Sequence, residues 1–183
     1  MQPSETRHAP SADPRASGRR RMAVLVVLGF VLPLVVGAAA LATPGSGLLN
    51  APATPQARGT LAEDQLVNSK SGIHLKTKGS ADLVTQQLIF GGGGHTGWHS
   101  HPGPVLVTVK RGALRVIYAD DTTCEGTVYE AGDSFIDRGD ENVHIARNVS
   151  ATDEVELWAT YLVPGTPVTA PFRLDEPVAP GAC

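Results

Sequence analysis

The amino-acid sequence predicts an all-β fold, a small barrel or jelly roll, and three observations carry that expectation. The later part of the chain breaks into short β-like apolar runs, turn-forming residues separate them, and no convincing amphipathic helix competes. In order, the expected strands are residues 73–78, 83–90, 105–111, 113–119, 127–129, 134–136, 143–147 and 155–163. They draw on Val, Ile, Leu, Thr and aromatic side chains, which suit a pleated, half-buried surface. Four glycines at 91–94, then Gly112, Asp120-Asp121, Ala131-Gly132-Asp133 and Gly139-Asp140, supply turn chemistry between the runs. A polar segment at 61–66 is the one place where a helical turn is expected. Roughly eight short strands in about a hundred residues suit a closed or nearly closed sheet that buries one face of every strand.

Two segments precede that domain. Arg19, Arg20 and Arg21 abut an uncharged stretch at 22–42, the pattern of an export or anchoring segment. Ala40-Leu41-Ala42 has the small-x-small form of a signal-peptidase site, and Pro33 and Gly37 weaken a long membrane helix, so cleavage after Ala42 is favoured over a retained span. Under either outcome the cationic side stays in the cytoplasm and the body lies outside, secreted or anchored, with membrane contact only through residues 1–42. Residues 43–60, rich in Pro, Gly, Ala and Ser, read as a flexible linker, which leaves 61–183 as the folded domain with its core at about 83–164. Beyond residue 42, ten Lys and Arg stand against sixteen Asp and Glu, a balance that excludes nucleic acid as a partner.

Cys124 and Cys183 are the only cysteines, and neither lies in a CxxC pattern. In an oxidising compartment a disulfide between them is expected.

The chemistry concentrates in the stretch GWHSHPGP at 97–104. On a strand, residues i and i+2 share a face, so His99 and His101 stand together while Trp98 and Ser100 face the other way. Two imidazoles on one face can chelate a metal, and His144, in a later expected strand, can join them inside a barrel. His95, amid glycines, is expected to be an exposed loop residue, and Trp98 to cover the barrel or its mouth. Asn148-Val149-Ser150 has the form of a glycosylation sequon and is read as chance.

With those residues in place, the sequence resembles the cupin superfamily. Gly93, His99, His101 and Gly112 fall in register with the first cupin motif, and His144 and Asn148 with the end of the second. The chain departs from the pattern twice: Val105 stands where the first motif has Glu, and Gly139-Asp140-Glu141 replaces the usual Pro-x-Gly. The resemblance implies a cupin-type double-stranded β-helix barrel, with Gly93 and Gly112 as backbone positions at strand ends. It also implies a divalent metal ion held by His99, His101 and His144. Imidazole suits Zn, Fe, Ni, Cu and Mn alike. Val105 cannot ligate, so one position is left to water or substrate, and three neutral imidazoles leave the ion's charge to attract an anionic, chelating molecule.

Two function classes follow: a metal-dependent oxygenase or isomerase acting on a small molecule, and a non-catalytic cupin module that binds a small molecule or a metal. The sequence offers no convincing second catalytic group, because Glu130, Asp133 and Asp137 read as turn and surface carboxylates. The reading is compatible with a homodimer.

Overall fold

The computed structural model describes residues 42–50, 54–140, 142–165, 171–177 and 183, and no helix occurs among them. The expected export or anchoring segment lies, apart from Ala42, outside the described residues. The strands are β1 (Ser46–Leu48), β2 (Ala57–Leu61), β3 (Leu66–Asn68), β4 (His74–Lys76), β5 (Ala81–His95), β6 (His99–Ser100) and β7 (Val105–Arg111). They continue with β8 (Ala113–Tyr118), β9 (Thr127–Glu130), β10 (Ser134–Asp137), β11 (His144–Asn148), β12 (Val155–Pro164) and β13 (Leu174–Asp175).

Every pairing is antiparallel, and the two halves of the barrel share one long strand. Residues 81–90 of β5 run beside β12, which pairs β7, which pairs the edge strand β10. The far end of β5 leaves that half: His95 lies opposite Arg147 of β11, and β11 carries β8 and then β9 on one side. β11 also meets β6, which pairs β13. The result is a nearly closed double-stranded β-helix barrel, as expected, with β3 and β4 as a separate hairpin. Side-chain alternation explains the closure. Along β12, Val155, Leu157, Ala159, Tyr161 and Val163 point inward while Trp158 faces out, the period of two that a strand with one buried face requires. Burying one such residue completely, Leu114 for example, contributes about 2 kcal/mol.

Three expectations are corrected. The stretch 43–60 was expected as a linker, yet it carries β1 and β2, both paired to β5. Edge pairing uses backbone groups and needs no apolar periodicity, and β2 is further tied down where Arg58 Nε and Thr60 Oγ1 donate to the two oxygens of buried Asp82, each at 2.7 Å. The segment 61–66 forms no helical turn. The Gln65 N–H donates to Thr77 Oγ1 and the Thr77 N–H to the Gln65 carbonyl, both at 2.9 Å, so its backbone bonds go across the β3–β4 hairpin instead of back along the chain. The four glycines at 91–94 do not end a strand but complete β5, with Gly93 at φ +69°. A Cβ at Gly92 would sit 2.2 Å from the Ala151 carbonyl oxygen, so close backbone approach is the reason for glycine there. Gly112 behaves as expected: it turns β7 into β8 at φ +77°, and a Cβ there would lie 2.6 Å from the Glu154 carbonyl oxygen.

Candidate metal centre

The three histidines of the sequence meet. His99 lies in β6 directly opposite His144 in β11, and His101 follows β6 on the same face, as the i, i+2 spacing requires. Ring centroids are 4.3 Å apart for His99 and His144, 4.8 Å for His99 and His101, and 5.3 Å for His101 and His144. One nitrogen from each ring lies within 4.8 Å of the others, and all three residues are buried.

The backbone decides which nitrogen. His99 Nδ1 donates to the Gly97 carbonyl at 2.9 Å, His101 Nδ1 to the Phe172 carbonyl at 2.7 Å, and His144 Nδ1 to the Asn142 carbonyl at 3.0 Å. A carbonyl oxygen only accepts, so each Nδ1 carries a proton and each Nε2 keeps its lone pair. That is the tautomer an Nε2 metal ligand needs, oriented by outer hydrogen bonds of the kind that support bound metals. Burial, the first cause in each case, lowers all three imidazoles from their ordinary value, and the Arg173 guanidinium pushes the same way. His101 is brought down to about 4, against opposing contributions from the Phe172 carbonyl and the Asp137 charge. The cluster is therefore neutral and ligand-competent at neutral pH.

A fourth polar group faces the cluster. Asp137, at the end of β10, is 1% exposed, where sequence reasoning placed a surface carboxylate. Its Oδ2 lies 3.9 Å from His144 Nδ1, the nitrogen that also donates to the Asn142 carbonyl, and the Tyr118 hydroxyl is its polar neighbour. The signal was available: in β10 the order Ser, Phe, Ile, Asp puts Asp137 on the face of half-buried Phe135, with Ile136 turned outward. Glu130 and Asp133 are exposed, as read. Val105 is buried and lines the same small cavity, of about 40 Å³, as Asp137 and the three histidines. That volume holds an ion and a water or two. The residues fit a divalent cation: three neutral nitrogen donors converge in a buried site.

Trp98 is buried with Ile117 and Ile145 on the side of the sheet away from the histidines. Asn148 is structural: its Nδ2 donates to the carbonyls of Phe90, Gly91 and Asp153, and its Oδ1 accepts from the Ser150 N–H, which leaves its amide no freedom to carry a glycan. His95 is no loop residue but the half-buried last residue of β5, and its Nδ1 accepts from the Gly97 N–H at 3.1 Å. Cys124 and Cys183 form the expected disulfide, with their Cα atoms 5.2 Å apart.

The C-terminal segment contributes what the sequence reading missed. β13 pairs β6, Ser100 Oγ donates to Glu176 at 2.8 Å, and Phe172 supplies the carbonyl that orients His101. Arg173 donates from its guanidinium to the Thr96 carbonyl at 2.7 Å and to Asp175. With Phe172, Gln86 and His95 it borders an outer cavity of about 520 Å³. Leu88, Thr96, His99 and Tyr161 line both cavities, so the outer one opens onto the histidines.

No known family model matches the chain, and no curated protein does. Among solved structures it is similar to a double-stranded β-helix protein of Klebsiella pneumoniae, with 21% identity, 63% of this chain and 87% of the other covered, and a TM-score of 0.41. It is also similar to a cupin superfamily protein of Desulfitobacterium hafniense, with 12% identity, 61% and 83% covered, and a TM-score of 0.39. A cupin family protein of Methanocaldococcus jannaschii shares 13% identity over 60% of this chain and 88% of its own, with a TM-score of 0.40. The chain's own strand order and register make it an all-β, nearly closed double-stranded β-helix barrel, with a buried three-histidine cluster compatible with metal binding.

Proposed function

We propose that this protein binds a divalent metal ion through Nε2 of His99, His101 and His144 and presents it to a small anionic molecule that enters by the outer cavity. The observation that carries the reading is that all three Nδ1 atoms are spent on backbone carbonyls, which leaves three clustered lone pairs in a buried site. A core that needed only to be filled would not hold three histidines in one tautomer beside a carboxylate. When bound, such an ion polarises the oxygens of a chelating molecule or activates oxygen. The chain's own residues do the rest. Val105, Val107 and Leu157 give the inner cavity apolar walls, and the Arg173–Asp175 ion pair borders the approach. The reaction class that suits this site is that of a metal-dependent oxygenase or isomerase.

Elemental analysis of the purified protein tests the first half of the reading, and oxygen uptake over diketones, thiols and catechol-like acids tests the second. One equivalent of a divalent metal with oxygen uptake or isomerisation of one such compound is expected. Metal without turnover of any of them would make the protein a binding module. Failure to retain Zn, Fe, Ni, Cu or Mn, with no thermal shift on adding them, would overturn the reading altogether.

A further inference from the structure

One wall of the outer cavity comes from the arm that precedes the barrel. β1 lies along the end of β5, with Leu48 opposite Phe90 and Ser46 opposite His95, and residues 44–48 line the cavity beside Leu88, Phe90 and Phe172. Glycines set how closely the arm comes. A Cβ at Gly45 would sit 2.6 Å from the Thr96 carbonyl oxygen, one at Gly97 2.0 Å from the Thr43 carbonyl oxygen, and one at Gly47, where φ is +71°, 2.7 Å from the Gly94 Cα. Side chains at those points would hold the two backbones apart. At its other end the arm is fastened to the C-terminal segment, where Ala42 forms a bridge with Pro177.

Several polar groups of the lining are turned to one another. The Tyr161 hydroxyl donates to Gln86 Oε1 at 3.0 Å, Arg173 pairs with Asp175 and donates to the Thr96 carbonyl, and Thr96 Oγ1 donates to the Gly97 carbonyl and accepts from the Ala146 N–H. What Leu48, Leu88, Phe90 and Phe172 offer an occupant is hydrocarbon, and Tyr161 offers a ring. Its centroid lies 5.1 Å from that of His101 on one side and 4.8 Å from that of Phe172 on the other, so a row of rings runs from the histidine cluster to the outer cavity. The two volumes divide the work: the inner 40 Å³ has room for an ion and the oxygens of a chelating head, whereas the outer 520 Å³ is the size of a pocket that takes a whole small molecule. From this geometry we infer that the ligand is amphipathic: a compact chelating head reaches the ion past Leu88, Thr96 and Tyr161, and an apolar, ring-bearing body lies in the outer cavity against Phe172, Phe90 and Leu48 of the arm. The inference rests on the three-histidine metal reading and names the class of molecule that site takes. It also makes Leu48 a specificity-determining residue, since the arm, not the barrel, brings it to the body of the ligand.

The test uses the full chain loaded with Co(II) and hydroxamates as probes, because one anionic two-oxygen head can carry tails of different size. Acetohydroxamate, benzohydroxamate and phenylacetohydroxamate are titrated while the Co(II) absorption bands report chelation, and each affinity is taken relative to that for aqueous Co(II). The two aryl probes should bind at least about tenfold more tightly than acetohydroxamate, the gain expected for burying a ring. Leu48→Asp puts a charge on the arm and should remove most of that gain while changing acetohydroxamate affinity much less; Leu48→Phe keeps the wall apolar and should keep the preference for aryl probes. Affinities of the three probes within about threefold of one another in the parent would overturn the inference and leave the metal site standing, as would a Co(II)-loaded chain that chelates none of them. Loss of affinity for all three probes alike in Leu48→Asp, or for none of them, would overturn the part given to the arm. The parent series decides the ligand class without any variant, so it stands or falls even where Leu48→Asp does not fold. A parent chain that takes up no Co(II) would overturn the metal reading together with the inference.

Discussion

Val105 and Asp137 face each other across β7 and β10, one apolar and one anionic, both buried and both lining the cavity that holds His99, His101 and His144. The pair sets the electrostatics of the cavity. On sequence grounds, Val105→Glu should simply fill a vacant ligand position; beside Asp137 the same change puts two carboxylates into about 40 Å³. In the metal-free parent background Val105→Glu should therefore lower stability by about 2 to 4 kcal/mol, and divalent metal should restore much of the loss. Thermal melts with and without Zn(II) check this. A variant as stable as the parent without metal would contradict it.

Single replacement of His99, His101 or His144 by Ala should empty the metal site, because an open-site ion does not survive on two nitrogens. The barrel itself should persist, with a loss of about 1 to 3 kcal/mol from the unpaired carbonyl each change leaves behind. Metal content after dialysis is the measurement, and full occupancy in the His144→Ala variant would count against the cluster as a unit.

The pH dependence of the metal-free protein follows from the imidazoles. Their native values lie below the ordinary 6.5, with His101 at about 4, whereas in the unfolded chain they return to about 6.5. Between those values the unfolded state binds more protons, so stability is fully present above pH 6.5 and is lost as pH falls towards 4. His101 alone contributes on the order of 3 kcal/mol to that loss. Melting temperature measured from pH 8 to pH 4 should stay flat and then decline, and His101→Gln should flatten part of the decline. A level profile down to pH 4.5 would refute the assignment of neutral buried imidazoles.

The disulfide closes a loop of 59 residues, worth roughly 4 kcal/mol in the chain-entropy account. Its removal should also reach the site, because the segment it anchors supplies the Phe172 carbonyl that orients His101 and carries Arg173. Cys124→Ser with Cys183→Ser should melt lower and bind Zn(II) several-fold more weakly. Unchanged Zn(II) affinity in the double variant would show that β13 holds its place without the tether.

The sequence alone determined what depends on local pattern. Period-two runs such as Val105, Val107 and Val109 mark strands wherever they fold, the i, i+2 spacing puts His99 and His101 on one face, and two cysteines in the sequence leave a single possible bridge within the chain. His144 was legible because it lies in an expected strand and, with Asn148, matches the end of the second motif that the sequence resembles. Tertiary structure decided the rest, for physical reasons that no local window contains. The glycines at 91–94 lie within β5, and Gly92 must be glycine because the Ala151 carbonyl approaches its backbone. Ser46–Leu48 and Ala57–Leu61, without apolar periodicity, form strands because β5 offers them backbone partners. Phe172 and Arg173 belong to the site only because β13 pairs with β6, more than seventy residues away in sequence. Asp137 is the sharpest case: a carboxylate in a polar turn region reads as solvated until the pairing of β10 with β7 turns it inward, beside His144 and Tyr118.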